Sequence, residues 1–286
     1  MQTRALRTFV EIEKVGSFAT AASRLNMTLS AVSMQMKSLE VELGAELFDR
    51  SHRPPRLTPL GRTIGARARQ LLRAEGELRA ACAPTDQLAG RYRIGFVPTA
   101  SVRLLPAFLL NARIAAPDAE FSIVTGLSEA LEDGVRGADL DFAVVTASAG
   151  NDPALAYATI REETLTFAAP PAPATLSPTE LIEELSFLHF MPSSGIGKLI
   201  SAKMEVFFGK GLRHTVLDSV EAILECVNAG VGFTLLPEPD VRRYAAPHTR
   251  IFSDGLEGLS RRLALVCAEQ GQRREQAELV RGLFGK

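Results

Sequence analysis

Residues 16–50 have the sequence GSFATAASRLNMTLSAVSMQMKSLEVELGAELFDR, in which polar caps and glycines mark out two helices. Ser17 is a suitable N-cap for a short helix. Thr28 is a suitable N-cap for a longer helix over Leu29–Glu42, which Gly44 ends. Alanines lie where the two helices would cross, and only a few residues separate the helices. This arrangement predicts a helix-turn-helix.

The flanking residues extend this module. A helix over Thr3–Val15 is predicted to precede it, and the loop Asp49–Arg56 is predicted to turn between two short strands as a wing. Helical periodicity assigns the buried face of the long helix to Ala31, Val32, Met36, Leu39 and Leu43. The opposite face carries Ser30, Ser33, Met34 and Lys37.

A longer helix is predicted from Pro59 to about Cys82. Its apolar side chains recur in steps of three and four, as in a coiled-coil seam, at Leu60, Ile64, Ala68, Leu71, Leu78 and Cys82. This stripe favours a second copy of the chain as its partner, and packing on the chain's own body is the alternative.

Beyond a linker at Ala83–Gly90, strands and helices alternate. One set spans Tyr92–Val145, and a second set spans Thr164–Leu236 and includes a helix over Thr179–Glu184. A strand over Arg261–Cys267 and a final helix follow. The alternation predicts parallel strands with helical crossovers, and therefore an α/β body of two lobes with a cleft between them.

Composition limits the class of protein. The 286 residues are 46% apolar and 23% charged, with a formal net charge of −1. Residues 1–74 carry a net +6 and residues 75–286 a net −7, as expected where one module approaches a polyanion. No run approaches the roughly 20 apolar residues of a membrane span, and the start lacks a secretion signal. We therefore expect a cytoplasmic protein that does not bind membranes.

The sequence lacks the common catalytic motifs: Gly-x-Ser-x-Gly, His-Glu-x-x-His and the Gly-x4-Gly-Lys-Ser/Thr phosphate loop. The histidines are scattered, and Cys82, Cys226 and Cys267 lie far apart, which favours reduced, structural thiols. We therefore predict no enzymatic activity, no metal and no cofactor. The alternatives are an enzyme on the α/β body and a solute-binding protein.

The amino-terminal motifs resemble those of the LysR-type transcriptional regulators. They are Ala31-Val32-Ser33, Leu39-Glu40, Leu43-Gly44, Leu47-Phe48-Asp49-Arg50 and Leu57-Thr58-x-x-Gly61. The resemblance implies a winged helix-turn-helix in residues 1–58, a dimerising linker helix and hinge in 59–90, and a two-lobed effector domain of periplasmic-binding-protein type in 91–286. It also implies a homodimer formed through the linker helix, and usually a tetramer.

The implied function is sequence-specific binding of double-stranded DNA, modulated by a small-molecule effector in the interlobe cleft. Two alternatives stay open: a regulator that binds DNA without an effector, and a regulator that senses redox state through its thiols.

The DNA contacts expected from the recognition helix and wing are Thr28, Leu29, Ser30, Ser33, Met34, Gln35, Lys37, Arg50, Arg53 and Arg56. Leu29 and Met34 depart from the family pattern, which usually has glutamine and a basic residue there. Neither side chain forms the bidentate hydrogen bonds that discriminate bases, but both can contact thymine methyl groups. We therefore expect A·T-rich contacts or weaker sequence selectivity.

The segment after the first body strand begins a helix, where free N–H groups favour a carboxylate. The resemblance implies effector contacts at Thr99, Ala100, Ser101, Thr146, Phe167, Ser193, Ser194 and Gly195. A small carboxylate is the expected class of effector, although Arg103 is the only evident arginine of the cleft. For Ser128 and Ser219, helix capping is favoured over ligand binding.

Overall fold

The computed structural model describes residues 3–52, 54–80, 87–148, 150, 152–171, 180, 185–209 and 212–285. The predictions for Arg53 and Cys82 lie outside these residues, as does the helix predicted over 179–184 except for Glu180. The chain forms two compact units, Met1–Thr85 with Gly137–Asp139, and Asp86–Arg136 with Leu140–Lys286.

The first unit is the predicted winged helix-turn-helix with a long following helix. Its elements are α1 (Thr3–Val15), α2 (Phe18–Arg24), α3 (Leu29–Leu43), β1 (Phe48–Asp49), β2 (Arg56–Leu57) and α4 (Pro59–Ala80). The predicted caps are present, since Ser17 Oγ accepts a hydrogen bond from Thr20 N at 3.3 Å and Thr28 Oγ1 accepts one from Ala31 N at 3.2 Å. Gly44 ends α3 in the left-handed conformation that glycine adopts without strain.

The core of this unit holds α3 by one face. Val32, Met36 and Leu39 are fully buried among α1 and α2 side chains, as the periodicity predicts. The prediction that Leu43 is buried is wrong, because this last residue of α3 lies outside the core cluster and is 36% exposed.

The apolar stripe of α4 divides between two faces. Ile64 and Ala68 pack in the core of the first unit, whereas Leu60 and Leu71 are exposed. Part of the predicted seam is therefore occupied within the chain, and the other part faces outward.

The second unit contains one continuous sheet. Its strands are β3 (Gly90–Phe96), β4 (Ala119–Thr125), β5 (Phe142–Thr146), β6 (Leu155–Ala169), β7 (Ser186–Phe190), β8 (His214–Leu217), β9 (Gly232–Pro237), β10 (Arg250–Phe252) and β11 (Ser260–Ala268). Its described helices are α5 (Pro98–Ala115), α6 (Ser128–Arg136), α7 (Gly195–Phe208), α8 (Val220–Asn228), α9 (Glu238–Tyr244) and α10 (Gln272–Gly282).

The strand order is β4-β3-β5-β11-β6-β9-β7-β8, with β10 paired to β6. Parallel pairs occur within each lobe, where β3 pairs with β4 and β5, and β7 pairs with β8 and β9. The prediction of parallel strands is wrong for the centre of the sheet. There β11 is antiparallel to β5 and β6, and β6 is antiparallel to β9.

Two separate apolar cores define the two predicted lobes. The first lobe is built on β3 to β5, α5, α6 and α10, and the second on β7 to β9, α7 and α8. β6 runs from the first core at Leu155 to the second at Ala169, and β11 pairs with it over residues 155–164. Two antiparallel strands therefore cross between the lobes.

Within the described part of the chain, no helix combines the length and the apolar character that crossing a membrane requires.

Candidate functional site

The outward face of α3 is the first candidate surface. Leu29 is 51% and Met34 69% exposed, and Thr28, Ser30 and Lys37 are exposed beside them. The hydroxyl of Thr28 caps α3 and lies 3.1 Å from Ser30 Oγ. This face carries apolar and hydroxyl groups with one cation.

Two predicted contacts on α3 are less accessible. Ser33 and Gln35 are half-buried, and Gln35 Oε1 is buried without a hydrogen-bond partner among the described residues. The amide of Gln35 is therefore turned partly toward the protein rather than fully outward.

The wing is fixed to α3 by a carboxylate that the sequence predictions did not include. Glu40 Oε1 accepts hydrogen bonds from the backbone N–H groups of Leu47 and Phe48 at 2.8 and 3.0 Å, and Glu40 Oε2 pairs with Arg50 at 2.7 Å. Arg50, a predicted DNA contact, is thus partly neutralised, although half of its side chain is exposed. The Leu39-Glu40 motif was the sequence signal for this positioning residue.

The turn that follows β1 is ordered by Asp49. Its Oδ1 accepts hydrogen bonds from Ser51 N at 2.9 Å and Ser51 Oγ at 2.6 Å, and these bonds lower the pKa of Asp49. Arg56, on β2 opposite Asp49, is exposed. The exposed arginines of the described wing are therefore Arg50 and Arg56, and the exposed His52 has Nδ1 3.1 Å from Asp49 Oδ2.

The second candidate site is a cavity of about 370 Å³ between the two lobes of the second unit. Three of the predicted effector contacts line it: Thr146, Ser193 and Gly195. An added Cβ on Gly195 would lie 3.1 Å from both Ser128 Oγ and Thr146 Cβ, so the lobes approach each other closely there. Thr99 and Ser194 line a narrow adjoining crevice.

Other predicted effector contacts face away from the cavity. Phe167 is fully buried in the second core, where its ring stacks on Phe252 with centroids 5.2 Å apart. Ala100 is fully buried in the first core, and Ser101 Oγ donates to Pro98 O at 2.8 Å. The structure therefore does not bring these three residues to the cavity, because packing and local hydrogen bonds occupy them.

Hydroxyl groups near the cavity have internal partners. Thr99 Oγ1 accepts a hydrogen bond from Arg261 Nη1 at 2.6 Å, and Ser194 Oγ caps α7 by accepting one from Gly197 N at 3.0 Å. Ser219 caps α8, which confirms its prediction. Ser128 Oγ accepts instead from Thr146 N at 3.3 Å and lines the cavity, so it is not a simple helix cap.

A buried cluster of four charges borders the cavity. Arg103 binds Glu163 through two hydrogen bonds of 2.6 and 2.8 Å, and its Nε donates to Asp240 Oδ1 at 2.7 Å. Arg261 Nε donates to Glu163 Oε2 at 2.8 Å. Arg103, expected as a cleft arginine, is therefore committed to internal carboxylates.

The two carboxyl groups of this cluster respond differently to burial. Burial raises the pKa of Asp240 in spite of the two arginines. Burial also opposes ionisation of Glu163, but the hydrogen bonds and charges of Arg103 and Arg261 outweigh it and lower the pKa of Glu163. Glu163 is thus the stable anion at the centre of the cluster.

The cavity also has charged walls, whose residues are not among the predicted effector contacts. Glu129 on α6 pairs with Lys198 on α7, and Arg262 of β11 lies on the same lining. No local motif signals this group, because its members come from three distant parts of the sequence.

The described cysteines lie apart. Cys226 packs against the second core, whereas Cys267 is buried in the first. Among the described residues, the thiol-redox alternative therefore has no adjacent pair of cysteines.

Comparison with known families assigns both units. Residues 3–62 match the family described as "Bacterial regulatory helix-turn-helix protein, lysR family", and residues 85–286 match "LysR substrate binding domain". The second match covers more than half of the chain.

Similarity to individual proteins supports the same assignment. The chain is 28% identical over 251 residues to a probable hydrogen peroxide-inducible genes activator of Mycobacterium leprae, covering 82% of this chain and 76% of the relative. It is 25% identical over 237 residues to the HTH-type transcriptional regulator GltR of Bacillus subtilis, covering 83% and 80%. A full-length OxyR variant from Pseudomonas aeruginosa has the same fold, with a TM-score of 0.76, 24% identity, and coverage of 99% and 94%.

Three observations lead to one assignment. They are the exposed face of α3 beside a wing, the two-lobed body with its interlobe cavity, and the family matches over both units. The chain belongs to the LysR family of bacterial transcriptional regulators, which are not enzymes, and it has a helix-turn-helix DNA-binding domain and an effector-binding domain.

Proposed function

We propose that α3 enters the major groove of a duplex operator and that the wing contacts the adjacent backbone. The observation that carries this proposal is the division of α3 into two faces. Val32, Met36 and Leu39 are buried in the core, while Leu29 and Met34 are more than half exposed on the opposite side. A helix held in this way can present its outer face to base edges.

The polar groups of this surface have distinct tasks. Ser30, Ser33 and the capping Thr28 donate hydrogen bonds to phosphates or base edges, and Lys37 neutralises a phosphate. Arg50 and Arg56 bind backbone from the wing, and Arg53, outside the described residues, has the same proposed role. Gln35 is the remaining candidate for a hydrogen bond to a base.

The apolar contacts set the sequence preference. Leu29 and Met34 contact thymine methyl groups, and they lack the bidentate hydrogen bonds that contribute about 1–3 kcal/mol of discrimination per base. The proposed operator is therefore read mainly through A·T-rich steps and phosphate contacts.

The proposed division is residues 1–58 for DNA binding, 59–90 for the linker helix and hinge, and 91–286 for regulation. Leu60 and Leu71, exposed on α4, support a homodimer formed through this helix, with further assembly to a tetramer. We also propose that the protein acts in the cytoplasm, where its DNA target is.

The interlobe cavity is the proposed effector site, and Thr146, Ser193 and Gly195 are its predicted contacts. Thr99 and Ser194, in the adjoining crevice, act on the effector indirectly by orienting Arg261 and the start of α7. A ligand between the lobes favours one interlobe spacing, and through the dimer it changes the spacing of the DNA-binding domains.

The test is fluorescence anisotropy with a labelled duplex from the DNA upstream of the chain's own gene. Lys37→Ala and Arg56→Ala should each weaken binding, and each should reduce the slope of log affinity against log salt by about one, because one phosphate contact is lost. Arg113→Ala, at an exposed position of α5, is the matched control and should leave both quantities unchanged.

Unchanged affinity and salt slope in both Lys37→Ala and Arg56→Ala would contradict the proposed surface. Met34→Ala separates base contact from phosphate contact, since it should reduce the preference for the operator over a scrambled duplex without changing the salt slope.

A further inference from the structure

The interlobe cavity has walls of opposite charge. Glu129 and Glu132 come from α6 of the first lobe, three residues apart and therefore on the same face of that helix. Lys198 comes from α7 of the second lobe, and Arg262 from the crossing strand β11. The field inside the cavity is consequently that of a dipole rather than of a single charge.

The charges of the deep wall are already compensated. Arg261 has a side chain with 0% exposure, and its Nη2 lies 2.7 Å from Glu163 Oε2 while its Nη1 donates to Thr99. Arg103 compensates the remaining acid, Asp240, and also binds Glu163. A ligand therefore does not need to supply a partner for Arg261.

The charged side chains at the rim of the cavity, by contrast, are exposed to solvent. The Glu129–Lys198 ion pair joins the two lobes, and its side chains are 75% and 57% exposed. An exposed pair of this kind contributes little free energy, so a ligand group can replace either partner. Arg262 is exposed on the same rim and forms no ion pair within the described part of the chain.

These positions discriminate between classes of ligand. A simple carboxylate that pairs with Lys198 would separate this residue from Glu129 and leave Glu129 without a partner beside the ligand. A simple amine that pairs with Glu129 would instead leave Lys198 without a partner beside the ligand. A ligand with one charge therefore leaves one wall without a partner, whereas a ligand with both charges pairs with both walls.

We propose that the cavity binds a small zwitterion of the α-amino-acid class, with its ammonium group at Glu129 and Glu132 and its carboxylate at Lys198 and Arg262. The volume of about 370 Å³ is that of a small-molecule site. Ser128, Thr146 and Ser193 supply hydroxyl groups along the lining. This proposal rests on the proposed function of the cavity as the effector site.

Ligand binding would exchange one interlobe contact for another. The ligand separates Glu129 from Lys198 and bridges them through its own two charges, so the lobes stay linked at a different spacing. A zwitterion therefore has a differential interaction with the two arrangements, which is the requirement for a population shift.

The experiment is thermal denaturation of the full chain with each standard α-amino acid at about 10 mM, since a ligand that binds only the folded chain raises its Tm. The amino acid with the largest shift is then compared with its des-amino carboxylate and its decarboxylated amine. We expect each truncated analogue to bind at least about tenfold more weakly, because each lacks one charge-assisted contact.

Variants assign the charges to the walls. Glu129→Gln should weaken binding of the amino acid by about tenfold and tighten binding of the des-amino carboxylate, because it removes the charge that a carboxylate leaves unpaired. Lys198→Met should weaken both. Ser193→Trp, at an exposed position of the lining, should fill the cavity and abolish all binding.

The outcomes distinguish the zwitterion proposal from the proposal on which it rests, that the cavity is the effector site. If no amino acid stabilises the chain, or if the des-amino carboxylate binds as tightly as the amino acid, the zwitterion proposal is wrong. Carboxylate binding that Ser193→Trp removes would leave the cavity as the effector site, whereas amino-acid binding that survives Ser193→Trp would overturn both proposals.

Discussion

His189 is a histidine that the fold keeps neutral. It lies on β7 with 4% exposure, its Nε2 is 3.1 Å from Ser201 Oγ, and its buried Nδ1 has no hydrogen-bond partner among the described residues. The ring of His214 lies 5.8 Å away, centroid to centroid. Burial, and secondarily the charge of His214, lowers the pKa of His189 to about 4.

This residue predicts a pH dependence of stability. An unfolded histidine has a pKa of about 6.5, so the unfolded chain binds more protons than the folded chain between about pH 6.5 and 4. The stability is fully present above this window and falls with falling pH, by about 1.4 kcal/mol per pH unit within it and by roughly 3 kcal/mol in total.

His189→Gln should reduce this pH dependence of stability. The measurement is the change in unfolding free energy between pH 7 and 5, from urea denaturation. His248→Gln, at an exposed position, is the control and should retain the wild-type dependence. An identical pH dependence in His189→Gln and wild type would show that His189 does not titrate on unfolding.

At the scale of elements, local signals predict local structure. α1 and the start of α3 match the sequence prediction, and the end of α3 differs by one residue, because caps and helix-stopping glycines act over a few residues. β6 was predicted only from Thr164, whereas it begins at Leu155. The middle of β6 contains the charged residues Arg161-Glu162-Glu163, which do not suggest a strand. They lie in one because β6 pairs with β11 and because Arg103 of α5 binds Glu163.

In the candidate sites, too, the sequence predicts the features that depend on one local element. Helical periodicity predicted the open face of α3, including Ser30 and Met34, because one helix determines it. The ion pair between Glu129 and Lys198 joins residues far apart in sequence, and only the approach of the two lobes creates it. Phe167 lies on a strand of the second lobe, but its side chain points into the core, which sequence similarity to a family does not resolve.

The start of α4 packs closely on the wing and gives an element-scale prediction. An added Cβ on Gly61 would clash with the carbonyl oxygen of Leu47 and lie 2.9 Å from the Leu57 side chain. Gly61→Ala should therefore destabilise the first unit by about 1–3 kcal/mol and weaken DNA binding through a displaced wing.

Gly76→Ala is the matched control on the same helix. A Cβ there meets nothing within 4 Å, so the higher helix propensity of alanine should stabilise α4 by up to about 1 kcal/mol. Hydrogen exchange of the first unit and DNA anisotropy measure both variants. Equal effects of the two substitutions would refute the close packing of Gly61.

At the scale of the regulatory unit, the four-charge cluster joins the lobes where β6 and β11 cross. Arg103 belongs to α5 of the first lobe, Asp240 to α9 beside the second, and Glu163 and Arg261 to the crossing strands. The charges of the four side chains cancel within the cluster. Removal of one member would therefore leave a buried charge without compensation at the connection between the lobes.

Glu163→Gln is the sharpest test of this connection. Arg103 would lose its bidentate partner, and the fully buried Arg261 would retain, among the described residues, only Asp240, at 3.5 Å, as a counter-ion. Breaking a buried pair on one side costs about 3–5 kcal/mol, so the urea midpoint followed by circular dichroism should fall sharply. Glu278→Gln removes an equivalent charge from the exposed pair with Arg281 and should leave the midpoint unchanged, because solvent screens that pair. If both variants unfolded at the same midpoint as wild type, the buried charges could not be what holds the crossing strands in place, and the connection between lobes would rest on apolar packing alone.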